Sequence, residues 1–192
     1  MEQGERVRQR RRVGVVLTVV LVGLGAVATW WFTAAHPGTH LARAGDVTMC
    51  ADSANGTELV MGGLEFSPPA DATVLAVRLV DPQNVELADA RVVPLVSDEG
   101  SGSLIFGLTA GWPVEDAAEY TVDWTADRDL VGAHLRPGVA EAPYLHLRVL
   151  DPDQPASFGS WQVEYRLRAT TWVSRFTIGF TRPAGPAGCD AV

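Results

Sequence analysis

The stretch WQVEYRLR, residues 161–168, has an apolar side chain at every second position and polar side chains between them. Successive side chains of a β-strand point to opposite sides, so this period of two predicts a strand with one buried face. Residues 172–180 alternate in the same way after a short junction at Ala169 and Thr170. We therefore expect residues 161–180 to form an antiparallel β-hairpin.

Similar runs recur from residue 47 onward, separated by Gly, Pro, Asp or Asn and without a convincing amphipathic helix. About nine strands are predicted, over residues 47–50, 58–66, 73–80, 91–96, 103–108, 119–125, 144–149, 161–168 and 172–180. Such a series predicts an all-β domain, namely a β-sandwich that resembles immunoglobulin-like or fibronectin-like modules in architecture. The Cys, Trp, Cys spacing of antibody domains is absent, so no particular family is indicated. Within the second run, Gly62 and Gly63 predict a bulge or a break.

The first part of the chain has a different character. Residues 13–35 are 23 residues without a charged side chain, and at about 1.5 Å per residue a helix of that length would cross a hydrocarbon core of about 30 Å. Five Arg within residues 1–12 precede this segment, and Trp30 and Trp31 lie near its other end. The positive-inside rule and the preference of Trp for the headgroup region give one orientation. We predict a cytoplasmic segment 1–12, a transmembrane helix 13–35 and an extracytoplasmic domain, in the cell membrane.

A cleaved signal peptide is the alternative, because Ala26-Val27-Ala28 resembles a cleavage site. The apolar stretch continues beyond that site to Ala35, which is longer than the apolar region of an ordinary signal peptide. Pro37 and Gly38 then predict the end of the helix and a linker over residues 36–45. We expect the folded domain to occupy residues 46–192.

All 15 basic residues are Arg, a bias that GC-rich codons would produce, so we infer a bacterial source. The net charge is -8, but residues 1–12 carry five Arg and two Glu, or +3, which leaves -11 for the remainder. A domain this acidic repels nucleic acid and anionic lipid headgroups. The expected partners are therefore the lipid bilayer, through the helix, and an unknown protein or envelope component, but no nucleic acid.

The two cysteines, Cys50 and Cys189, both belong to the predicted outer domain. Oxidation is permitted there, and an exposed free thiol is a liability, so we predict a Cys50–Cys189 disulfide. Such a bridge would hold the Pro- and Gly-rich tail at 183–188, which cannot form a regular strand or helix. An intermolecular bridge and a reactive thiol are the alternatives, although no cationic neighbour is evident around Cys50.

No motif predicts a catalytic residue, a cofactor or a metal site. Residues 100–103, GSGS, only loosely resemble a nucleophile elbow, and of the four His only His134 and His146 lie away from the membrane segment. His36 and His40 are separated by a helix-breaking Pro-Gly pair. Asp127 with Asp129, and Asp151 with Asp153, could offer oxygen ligands to Ca²⁺, yet Asp and Pro are also ordinary turn formers, and we favour solvated turns.

The six Trp residues divide into three groups. Trp30 and Trp31 belong to the membrane boundary, whereas Trp124, Trp161 and Trp172 lie on the apolar faces of predicted strands and are expected in the core. Trp112 lies in a predicted loop and is the candidate contact residue.

These observations predict a membrane-anchored, non-enzymatic β-sandwich module that makes protein or cell-envelope contacts. One alternative is an envelope ligand-binding protein or enzyme whose site is built from loops, which strand periodicity cannot reveal. Another is an accessory subunit of a membrane complex. A deep pocket lined by His134 or His146 and acidic groups would favour the first alternative.

Overall fold

The alternating runs form strands in the computed structural model, which describes residues 36–37, 41–42, 46–52, 56–62, 64–95, 107–110, 122, 124–184 and 189. The described part contains one 3-10 turn, at Trp124–Ala126, and thirteen strands. The strands are β1 His36–Pro37, β2 Val47–Cys50, β3 Glu58–Gly62, β4 Ala72–Val80, β5 Val85–Pro94, β6 Gly107–Ala110, β7 Arg128–Asp129, β8 His134–Leu135, β9 Glu141–Val149, β10 Ala156–Phe158, β11 Ser160–Leu167, β12 Thr170–Phe176 and β13 Ile178–Arg182.

The strands form three sheets. Sheet 1 has the order β1-β12-β11-β4-β8, sheet 2 has the order β6-β3-β9-β5-β7, and the small sheet 3 has the order β10-β13-β2. Sheets 1 and 2 pack face to face around a shared apolar core, an arrangement consistent with a β-sandwich. The prediction of an all-β domain is therefore confirmed for the described residues.

The predicted hairpin is present and is longer than the sequence indicated. β11 pairs antiparallel with β12 from Trp161 opposite Phe176 to Leu167 opposite Thr170, so Arg168 and Ala169 form the turn. Arg168 has a φ of 57°, the left-handed conformation that a tight turn requires. Away from the turn, the pairing resumes beyond Gly159 and Thr177, where β10 and β13 pair antiparallel in sheet 3.

The core lies between the inner faces of sheets 1 and 2. Sheet 1 contributes Val163 and Tyr165, and sheet 2 contributes Leu145 and Leu147, all of them buried. Phe176 contacts two other aromatic rings of this core. Its ring centroid lies 4.5 Å from that of Trp161 and 6.1 Å from that of Phe66. Burial of each such side chain contributes about 1.5–3 kcal/mol to stability, which is why the period-two pattern specifies this packing.

A second, smaller apolar cluster covers the outer face of sheet 2. Its buried members are Val60, Val93, Val122, Ala142 and Tyr144, and Leu95 and Trp124 pack against them. β9 is consequently buried on both faces, although its alternation had predicted one face toward solvent. Of the predicted strand at 119–125, only Val122 and residues 124–125 are described. Val122 forms an isolated β-bridge with Leu95, whereas residues 124–126 form a 3-10 turn whose Trp124 ring lies 4.6 Å from that of Tyr144.

Part of the segment expected to be a linker belongs to the folded domain. His36 and Pro37 pair in parallel with Trp172 and Val173 of β12. Leu41 is fully buried, and its carbonyl accepts a hydrogen bond of 2.6 Å from the Ser67 amide. His36 and Pro37 are thus held by strand pairing and Leu41 by burial in the core.

The predicted disulfide is present. Cys50 and Cys189 are bonded with 2.05 Å between the sulfur atoms and 5.8 Å between the Cα atoms. Cys50 ends β2, which pairs in parallel with β13, and the bridge joins that strand to the end of the tail.

The predicted transmembrane segment 13–35 lies outside the described residues. Within the part of the chain that the structure describes, no helix has the length and apolar character needed to cross a bilayer.

Candidate functional site: a groove beside β7 and β8

An open groove of about 710 Å³ lies beside the edge strands β7 of sheet 2 and β8 of sheet 1. We call it the side groove. Six of its lining residues carry the argument below: Arg128, Val131, His134, Arg136, Val139 and Glu141. The chain turns sharply twice along it, at Gly132 (φ 88°) and at Gly138 (φ 75°), conformations that glycine adopts without steric cost. These turns bring side chains from β7, β8 and the start of β9 to one surface.

An ion pair between a partly exposed arginine and a buried glutamate lines the groove. Arg128 Nη2 lies 2.6 Å from Glu141 Oε1, and the Glu141 side chain is only 7% exposed whereas that of Arg128 is 38% exposed. A carboxylate that is this buried is tolerated because a charged partner and hydrogen bond compensate for lost hydration. The Glu141 carboxylate therefore has a structural partner and is not a free base facing the groove.

The Asp127 and Asp129 carboxylates are held by an arginine. Arg91 Nε donates to Asp127 Oδ2 at 2.9 Å, its Nη1 contacts Asp129 Oδ1, and Asp89 Oδ2 lies 4.0 Å away. The hydrogen bond to Asp127 is the main reason that the pKa of Arg91 is raised. Arg91 thus pairs with both carboxylates, while the Asp129 side chain remains 74% exposed to solvent.

The rest of the lining combines apolar surface with one arginine that forms no ion pair among the described residues. Val131 is 52% exposed and Val139 is 37% exposed, and they are two of the four large hydrophobic residues that the described chain leaves exposed. Arg136 is exposed and forms no ion pair among the described residues. Arg128 and Arg136 balance Asp129 and Glu141 in formal charge, so the side groove offers two exposed valines beside one arginine that has no ion pair in the described part of the chain, without a net positive charge.

The two candidate histidines lie on different sheets. His134 belongs to β8 of sheet 1, where its Nδ1 lies 3.1 Å from the Thr73 hydroxyl at the groove margin. His146 belongs to β9 of sheet 2, where its Nε2 lies 2.5 Å from Glu58 Oε2. The structure therefore does not bring them together in one site.

A charged cluster surrounds His146 on the outer face of sheet 2. Arg148 Nε donates to Glu58 Oε1 at 2.9 Å, and its Nη1 donates to Glu86 Oε1 at 3.0 Å. The hydrogen bond from Arg148, helped by the His146 contact, lowers the pKa of Glu58 below its ordinary value of 4.5. We interpret this cluster as a cross-strand ion network, because Glu58 and Arg148 are direct neighbours in the register of β3 and β9.

The second pair of candidate Ca²⁺ ligands, Asp151 and Asp153, forms a turn. The Asp153 amide donates to Asp151 Oδ1 at 3.0 Å, and Asn84 Nδ2 donates to the Asp151 carbonyl at 2.7 Å. Among the described residues, no group of three or more His, Cys, Asp or Glu side chains is arranged to hold a metal ion.

The structure describes three of the six tryptophans, and all three pack against apolar side chains. Trp161 is 2% exposed in the main core, Trp172 packs partly buried against it, and Trp124 belongs to the second apolar cluster. Trp112, the candidate contact residue, lies outside the described residues, as does the 100–103 loop.

Sequence reasoning did not identify Val131, Arg136 and Val139 as surface candidates. These residues lie in turns, where no periodicity separates inward from outward positions. The available signal was local: each valine is next to a glycine, at Gly132 and Gly138. An apolar residue beside a turn glycine has few ways to be buried.

No protein-family model matches the chain, and a search of curated proteins found no match. The function is therefore inferred from the residues themselves.

Proposed function

We propose that this chain is a single-pass membrane protein whose outer, immunoglobulin-like domain binds another protein through the side groove. The anchor is residues 13–35, the Arg-rich residues 1–12 are cytoplasmic, and the domain is extracytoplasmic, as the charge and aromatic distribution favour. The domain acts by binding rather than by catalysis.

The strand order supports the immunoglobulin-like part of the proposal. In that architecture one sheet has the order A-B-E-D and the other has the order G-F-C. Here β3-β9-β5 is the counterpart of B-E-D and β12-β11-β4 of G-F-C, in the same chain order, whereas β6 takes the edge position of strand A although it follows β5 in the sequence. Two features depart from the pattern: β6, β7 and β8 are inserted between β5 and β9, and the disulfide joins the two ends of the domain instead of the two sheets.

One observation carries the binding function: Val131 and Val139 are exposed in one groove beside Arg136. Solvent-exposed large apolar side chains that converge on a concave surface are typical of binding sites. The Arg136 guanidinium, which has no ion pair with any residue that the structure describes, favours a partner segment with a carboxylate, and the two valines favour an apolar side chain next to it. The occupant we propose is therefore an extended acidic segment of another protein, with at least one apolar residue.

The test is capture of partners from native membranes by the full-length protein and by three variants. V131D and R136E change the side groove, whereas L150D changes a residue that is 59% exposed and does not line it. We expect one captured protein to be lost with V131D and with R136E and retained with L150D. Neutralising the acidic segment of that protein should weaken its binding to the wild type.

A captured set that is the same for all four proteins contradicts the proposal. So does a partner whose binding R136E leaves unchanged, because the charge complementarity would then play no part. Circular dichroism of each purified variant establishes that lost binding does not reflect lost folding.

A further inference from the structure

Three neighbouring strands of sheet 1 end together at the level of the β11–β12 turn. Leu167 of β11 pairs with Ala72 of β4, and Ala72 pairs with Leu135 of β8. The residues immediately beyond these positions, Arg168, Asp71 and Arg136, are therefore adjacent at one end of the sheet. One register position further in, Arg166, Thr73 and His134 form the next row.

This end, which we call the lower rim, consists of Asp71, His134, Arg136, Arg166 and Arg168, all of them exposed. Its formal charge is +2 with neutral His134, from three Arg and one Asp. None of the three arginines forms an ion pair with another described residue, so their charges face solvent. The lower rim is thus positive in a domain whose net charge is strongly negative.

The opposite end of the sandwich has the opposite sign. Its turns at residues 81–84 and 151–155 contain Asp81, Asp151 and Asp153, and two arginines reach the same end: Arg182 donates to the Pro152 carbonyl at 3.1 Å and Arg175 to the Ser160 hydroxyl at 2.9 Å. The formal charge of these three aspartates and two arginines is -1, against +2 at the lower rim. Val80 pairs with Ser160 and Val85 with Val149, which are the far ends of β11 and β9 from the lower rim. The charges are therefore separated along the strand direction.

The polypeptide enters the domain at the positive end. β1 runs parallel to β12, and its first residue, His36, pairs with Trp172. Trp172 is the third residue of β12, which begins directly after the β11–β12 turn at the lower rim. His36 directly follows the segment 13–35 that we propose as the membrane anchor. Connectivity and charge thus point to the same end of the domain.

We propose that the lower rim contacts anionic lipid headgroups through Arg166 and Arg168, which do not line the side groove, so that the acidic turns at 81–84 and 151–155 face away from the membrane. This inference rests on the proposed anchor. Each arginine near an anionic surface is worth about 1 kcal/mol, which is about a fivefold change in the ratio of contacting to lifted orientations. The overall negative charge opposes adsorption of the domain, but its uneven distribution leaves one orientation attractive.

The experiment uses the full chain in vesicles of phosphatidylcholine alone and of equal parts phosphatidylcholine and phosphatidylglycerol. A spin label is attached, without reductant, to A169C in the rim turn or to Q154C in an acidic turn. Its accessibility to a nickel-chelating headgroup lipid reports its distance from the bilayer surface. We expect high accessibility at A169C and low accessibility at Q154C, with the difference increased by phosphatidylglycerol and reduced by salt.

R166Q/R168Q removes two rim charges. It should lower the ratio of contacting to lifted orientations, measured with the label at A169C, by about 25-fold, because the two fivefold effects multiply. R78Q is the matched control, since Arg78 is exposed on the same sheet, toward its acidic end, and should leave the contact unchanged. Equal accessibility at A169C and Q154C, or contact that ignores phosphatidylglycerol and R166Q/R168Q, overturns the inference. A chain that fails to float with either vesicle instead overturns the anchor on which it rests.

Discussion

At the scale of single residues, Gly62 has a definite packing role. A Cβ atom at this position would lie 2.4 Å from Cε1 and 2.7 Å from Cδ1 of the Tyr144 ring. Tyr144 is 2% exposed and is packed against Trp124, so the ring has little space to move. The strand needs glycine here because an aromatic ring lies directly over its backbone.

We therefore expect G62A to lower the free energy of unfolding by about 1–3 kcal/mol, as overpacking of a filled site does. G159A is the control, because a Cβ there would have no atom within 4 Å, and it should change stability by about 0.5 kcal/mol or less. Urea unfolding of the two variants measures the difference. Equal effects would mean that Tyr144 does not cover Gly62.

Glu58 provides a pH-dependent contribution. Its pKa is lowered by the hydrogen bond from Arg148, so the ionised carboxylate stabilises the folded state above about pH 4.5. That stabilisation disappears as the pH falls from this value through the lowered folded-state pKa. We expect E58Q to be less stable than wild type at pH 6 and to lose less stability than wild type on acidification.

The measurement is the urea midpoint of wild type and E58Q between about pH 6 and pH 3. E65Q, which removes an exposed carboxylate outside the cluster, is the matched control for the loss of one negative charge. Parallel curves for wild type and E58Q would show that the Arg148 contact does not affect folding.

At the scale of elements, periodicity predicted strands well where one face meets the core and the other meets water. β4 was predicted at 73–80 and is Ala72–Val80, and β11 was predicted at 161–168 and is Ser160–Leu167. β5 begins at Val85, earlier than the predicted 91–96. The prediction missed residues 85–90 because a bulge between Leu87 and Asp89 interrupts their alternation. A local pattern cannot register such a break.

The second apolar cluster was beyond prediction for a different reason. Tyr144 and His146 alternate with the core residues of β9 and were therefore assigned to a solvent-exposed face. Tyr144 is buried because Val122 and Trp124, about twenty residues earlier in the sequence, pack against it from outside the sheet, and His146 is buried beside Glu58. The side groove is equally non-local, since it depends on two turns that present Val131 and Val139 to one surface. The disulfide was predictable because the chain has only two cysteines, which leaves a single intramolecular pairing.

The Cys50–Cys189 bridge joins β2 to the tail across 139 residues of sequence. Closing a loop of this length restricts the unfolded chain, so C50S or C189S should lower the free energy of unfolding by about 2–4 kcal/mol. The double variant should resemble either single variant, and reducing agent should affect only the wild type. A C50S/C189S protein as stable as the oxidised wild type would contradict this role.

At the scale of the whole molecule, charge is unevenly distributed in two ways, along the sequence and between the two ends of the domain. Residues 1–12 are basic and the remainder is acidic, which favours one orientation across a membrane. Within the domain, three exposed arginines without ion pairs to other described residues lie at the lower rim, where the chain enters, and three aspartates lie in the far turns beside Arg175 and Arg182. A folded domain could be recognised from sequence alone, whereas the second asymmetry required the strand register.

The central claim is that residues 13–35 remain in the mature protein as its membrane anchor. The most direct test is the intact mass of the protein recovered from cells after the membranes are washed with alkaline carbonate. We predict a chain in the membrane pellet that retains Trp30 and Trp31. A processed chain that begins at Thr29 and is released into the supernatant would contradict the claim and establish a cleaved signal peptide instead.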